Sequence, residues 1–142
     1  MKSEINFYPF IFSVQMTSSF EMDTGDILLF RGNSWISRIL EYFGRSSYSH
    51  VGMVLKNPKY IHPELPDGLY LFESSSNNTP DVEDGRFKIG VQIHRLEDIL
   101  REFPKGSIYA RHIDCIRDEA FYQRLAAIHK EVHDKPYDLT PL

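Results

Sequence analysis

The stretch His50-Val51-Gly52-Met53-Val54-Leu55 decides how the chain reads. Side chains alternate between two faces along a strand, so positions 50, 52 and 54 share one face and 51, 53 and 55 the other. The second set is wholly apolar and belongs in a core. The first set places an imidazole beside a glycine, which leaves room for another group to approach. An imidazole that starts a strand beside such a gap suits a general base near neutral pH, and equally a structural histidine bonded to a loop.

Upstream, the turn signal Thr24-Gly25-Asp26 precedes Ile27-Leu28-Leu29-Phe30, an apolar run closed by Arg31-Gly32 that reads as a buried strand. Asn33 or Ser34 can cap a helix over 34–43, where Trp35, Ile36, Ile39, Leu40 and Phe43 recur at helical spacing and Gly44 stops it. Downstream, Pro58, Pro63 and Pro66 make 57–68 a loop. Leu69-Tyr70-Leu71-Phe72 is an apolar strand ending at Glu73, and 74–84 is a long polar loop. Residues 90–94 form another strand, 96–103 a short helix or turn, and 108–113 a further strand. Asp118 can cap a last helix in which Phe121, Leu125, Ile128 and Val132 form an apolar stripe, with Pro136 ending it. The class is α+β, an antiparallel sheet of four to five strands packed with helices.

The chain has 142 residues, enough for one domain over 24–142 behind an aromatic extension at 1–23. With 42% apolar and 25% charged residues it is an ordinary globular composition. A net charge of −4 argues against nucleic acid as a partner, since general binders carry a basic face. The single cysteine, Cys115, excludes an internal disulfide framework and a cysteine-rich zinc site, and suits a reducing, cytoplasmic compartment better than secretion. The apolar stretch at 5–14 is about half of the ~20 residues that span a bilayer. It also lacks the basic start and small-residue cleavage site of a signal peptide. Its aromatics Phe7, Tyr8, Phe10 and Phe12 are expected to pack on the domain, with a membrane-surface contact as the alternative.

Glu73 is the second candidate for chemistry. A carboxylate closing an apolar strand is either solvated at the strand end or paired, because burying it alone is costly. A histidine on a neighbouring strand is a natural partner, since the carboxylate fixes the ring's tautomer and stabilises its protonated form. His129 and His133 have the i, i+4 spacing of two metal ligands. The metalloprotease pattern needs Glu where Lys130 stands, and no third ligand is apparent, so a solvated helix face is expected and no metal or other cofactor. His62, His94 and His112 show no pattern of their own. Cys115, beside Asp114, reads as a small buried hydrophobe rather than a reactive thiolate. Phosphate-binding loops, nucleophile elbows and dinucleotide fingerprints are absent.

Taken in order, Thr24-Gly25-Asp26-Ile27-Leu28-Leu29-Phe30-Arg31-Gly32, Ser49-His50-Val51-Gly52-Met53-Val54, Leu71-Phe72-Glu73-Ser74, Gly90-Val91-Gln92-Ile93-His94-Arg95-Leu96 and Lys135-Pro136-Tyr137-Asp138 resemble the circularly permuted branch of the NlpC-type papain-like cysteine hydrolases. That branch includes bacterial YiiX-like proteins, poxvirus homologues and relatives of lecithin:retinol acyltransferase. The resemblance covers about residues 24–138. It implies a permuted papain-like fold and a hydrolase or acyltransferase acting on an amide or ester bond of a peptide or lipid. It also implies His50 as general base, Glu73 as the residue orienting it, and a virion or cytoplasmic setting. The family's nucleophilic cysteine begins a helix shortly after the element matched by Pro136-Tyr137-Asp138, and Cys115 does not match it. The expectation is therefore a domain whose C-terminal cysteine segment is missing from these 142 residues, with a catalytically inactive binding module as the alternative.

Overall fold

The computed structural model describes residues 21–31, 48–76, 79–103 and 107–136. The aromatic stretch at 5–14, the helix expected over 34–43 and Tyr137-Asp138 lie outside them. In chain order the elements are β1 (Ile27–Phe30), β2 (His50–Lys56), β3 (Leu69–Ser75), β4 (Gly90–Arg95), α1 (Leu96–Glu102), β5 (Ile108–Arg111) and α2 (Glu119–Val132). The strands make one five-stranded sheet in the order β4-β3-β2-β1-β5, antiparallel at every pairing. The α+β class and the strand count agree with the sequence reading.

The two sheet faces carry separate apolar clusters. One holds Leu28, Phe30, Val54 and Leu71, closed by Leu96 and Ile99 of α1. The other holds Leu55, Tyr70 and Ile93, covered by Leu125 of α2. The wholly buried reading of the 51, 53, 55 face needs correcting, because Val51 is 53% exposed while Leu55 is fully buried. Four residues of strand separate them by about 13 Å, and Leu125 of α2 packs in the cluster that holds Leu55. The space beside Gly52 is also not open. A Cβ there would meet Leu71 Cδ1 at 2.6 Å, so the glycine admits a core leucine rather than a ligand.

Asp118 caps α2 as expected, accepting from Phe121 N at 2.9 Å. The buried row of α2 differs from the expected stripe: Leu125 and His129 are buried, whereas Ile128 is 52% exposed. Residues four apart lie one above the other on a helix, and here the row through 125 and 129 is the one that meets the sheet. The helix stops at Val132, before Pro136, because Asp134 turns the chain at a positive φ of 59°. Pro136 then forms an antiparallel bridge with Gly90. That contact requires glycine, since a Cβ on residue 90 would lie 2.2 Å from Lys135 O.

Asp26 ties the β1 entry to the chain that follows β5. Its buried carboxylate accepts from Asp23 N at 2.9 Å and Ile113 N at 3.1 Å, and pairs with His112 Nδ1 at 3.0 Å and Arg117 at 3.3 Å. The turn before it needs Gly25, whose φ is 97°.

Candidate active site

β2 and β3 are neighbours, with Met53 opposite Phe72 and Val54 opposite Leu71. Continuing that register past Met53 sets Gly52 opposite Glu73 and brings His50 diagonally onto the same face, within reach of a long side chain. His50 Nε2 and Glu73 Oε2 are hydrogen-bonded. β2 begins at a fixed place because Ser49 N donates to Phe30 O at 2.9 Å and the His50 ring lies against that of Phe30, 5.5 Å between centroids.

Glu73 is therefore not a solvated strand end. It lies inside β3 with its side chain fully shielded from solvent. A second histidine meets its other oxygen: His94 Nδ1 lies 2.8 Å from Glu73 Oε1. The β3–β4 register explains this, since Leu71 faces His94 and Glu73 faces Gln92, placing Glu73 and His94 diagonally on one face. Burial is the largest influence on the Glu73 carboxyl and pushes its pKa up. Hydrogen bonds and charge from His50 and His94 outweigh it and hold the group below its ordinary value.

The partners also place the protons. His94 Nε2 faces the carbonyl of Thr79 at 3.0 Å, and a carbonyl only accepts. His94 thus meets an acceptor at each nitrogen, so both bonds form when each nitrogen carries a proton. Glu73 can then accept from His50 Nε2–H as well, which leaves the His50 lone pair on Nδ1. This is the tautomer a general base needs, with the basic nitrogen turned away from the carboxylate. The His50 side chain is 23% exposed, so the ring is reachable.

His94 is the member of this buried network that the sequence reading passed over. Its signal was the alternation of Gly90, Gln92 and His94 against Val91 and Ile93, a polar face on a strand that turns out fully buried there. Gln92 supports the same face by donating from Nε2 to Ser75 Oγ at 2.9 Å and Ser75 O at 3.0 Å.

Cys115 stands elsewhere. It is partly exposed rather than buried and lines an apolar groove of about 520 Å³ with Ile27, Met53, Ile113, Phe121 and Ile128. Met53 and Ile27 face the side of the sheet opposite His50, so the sheet separates the thiol from the imidazole. His129 is buried rather than solvated, which corrects the expected open helix face. Among the described residues no helix is long and apolar enough to cross a membrane. No protein-family model, curated protein or solved structure matches the chain.

Proposed function

We propose that this domain supplies the base half of a cysteine hydrolase or acyltransferase site, acting on an amide or ester bond in a peptide or lipid. His50 is the general base, Glu73 orients it, and His94 fixes Glu73. The nucleophile is a cysteine in a segment following residues 136–138, and the fold is the permuted papain-like one of the resembling family. The observation that carries the reading is the fully shielded Glu73 carboxylate held between His50 and His94. A structural histidine would need neither a buried carboxylate behind it nor a second imidazole behind that. The chain also reaches Pro136 bridged to Gly90, and Gly90 faces Ser75 at the end of the sheet where β2 begins with His50.

In the mechanism, His50 Nδ1 takes the thiol proton, and the thiolate attacks the carbonyl carbon of the substrate. The leaving amine or alcohol departs with a proton from the imidazolium, forming an acyl-thioester. Water, or another acceptor, then gives its proton to His50 and cleaves the thioester. Glu73 stabilises the imidazolium in both halves without moving a proton itself.

The position of Cys115, across the sheet from His50, favours a second reading: a catalytically inactive binding module for a lipid, peptide or partner protein. Turnover of p-nitrophenyl acyl esters by the full-length protein separates the two. The enzyme reading expects turnover that iodoacetamide and His50→Ala abolish and Cys115→Ala leaves intact. Undiminished turnover in His50→Ala sinks it, and a full-length protein without turnover selects the binding module.

A further inference from the structure

The two histidines of α2 acquire in three dimensions the third group that their spacing lacks. Glu83, from the loop between β3 and β4, places Oε2 3.0 Å from His129 Nε2 and 3.4 Å from His133 Nδ1. The three ligand atoms all lie within 4.8 Å of one another. Zn²⁺ binds imidazole nitrogen and carboxylate oxygen at about 2.0–2.2 Å, so neighbouring ligand atoms around a tetrahedral ion stand about 3.3 Å apart. The separations of 3.0 and 3.4 Å bracket that value.

The surroundings select this trio. The Glu83 side chain is 7% exposed and that of His129 10%. His133 Nδ1 is shielded from solvent and makes no hydrogen bond, although it lies 3.4 Å from Glu83 Oε2. His133 Nε2 lies 3.5 Å from the Asp134 carboxylate. The other nearby carboxylates are engaged: Lys88 pairs with Asp81 at 2.6 Å, with Asp84 at 3.1 Å and with Asp134. The His129 and His133 rings stack at 5.0 Å between centroids.

We propose that Glu83, His129 and His133 bind a divalent first-row transition ion of the Zn²⁺ type, leaving its fourth position to water. The ion clamps the β3–β4 loop to α2. His129 packs on Phe72, whose face of the sheet is opposite that of Glu73, so the ion is remote from the His50 site and independent of its chemistry.

The test uses the tag-free full chain, stripped with EDTA and dialysed, titrated with Zn²⁺ by calorimetry and with Co²⁺ by visible absorption. One equivalent should bind, with Co²⁺ d–d bands and no thiolate charge-transfer band. Glu83→Gln and His133→Ala should each weaken binding at least about 100-fold, beyond the 10–100-fold typical of a supporting residue. Zn²⁺ should raise the unfolding temperature of the wild type alone. Absence of stoichiometric binding, wild-type affinity in either folded variant, or a thiolate band would overturn the proposal. Far-UV circular dichroism verifies folding, and should Glu83→Gln fail to fold, His133→Ala, at the partly exposed C-cap, decides.

Discussion

Glu73→Gln is the substitution that most directly tests how the buried histidines are held. Glutamine keeps the volume, but it carries no charge and replaces one acceptor oxygen with an NH₂ donor. Since Glu73 receives a hydrogen bond at each oxygen, from His50 Nε2 and from His94 Nδ1, one of them now meets a donor. Hydrogen bonds to charged groups contribute about 1.5–3 kcal/mol each, and breaking a buried ion pair by removing one partner costs about 3–5 kcal/mol. The remaining amide oxygen recovers part of this, so a loss of about 3 kcal/mol is expected. For a chain of this size that lowers the unfolding temperature by about 10 °C. The pH dependence has a definite sign. The Glu73 carboxyl is held below its ordinary 4.5, so its contribution is present in full above that value and is lost as pH falls through the native one. The gap between wild type and Glu73→Gln should be widest near neutral pH and close in acid. Urea denaturation at several pH values measures it, and a double-mutant cycle with His94→Gln isolates the coupling, expected at about 1–3 kcal/mol. A variant within about 0.5 kcal/mol of wild type at pH 7, the ordinary range for surface changes, would refute the account, as would a gap that does not vary with pH.

Gly90→Ala should destabilise by more than about 2 kcal/mol, since a Cβ collides with Lys135 O and the φ of 144° is strained for any L side chain. An unchanged urea midpoint would count against the bridge to Pro136. Gly52→Ala should cost about 1–3 kcal/mol by overpacking against Leu71, less if that side chain rotates, and calorimetry would read it. Asp118→Ala should cost about 1 kcal/mol through loss of the bond from Phe121 N, and Asp118→Asn should restore most of it.

Local periodicity carried a good deal of the fold. β1 falls on the apolar run at 27–30, and β2, β3 and β4 extend the expected strands by a residue or two. The cap at Asp118 was legible too, because each of these features depends on near neighbours in the chain. His50 and Glu73 stood out for the same reason, as polar residues breaking apolar runs.

Other features depended on which strand lies beside which. The alternation of Gly90, Gln92 and His94 marks a polar strand face but does not name its partner, because the importance of His94 comes from the β3–β4 register that lays it against Glu73. The exposure of Val51 and of Ile128 depended on tertiary packing. The spacing of His129 and His133 was visible, but Glu83 reaches His129 from 46 residues away in sequence through a folded loop. The sequence by itself located the described strands and helices to within a few residues and named two residues of the buried network. Only the tertiary structure decided the third member and the convergence of Glu83 on α2, because short-range preferences set helix and strand while long-range register sets which side chains meet.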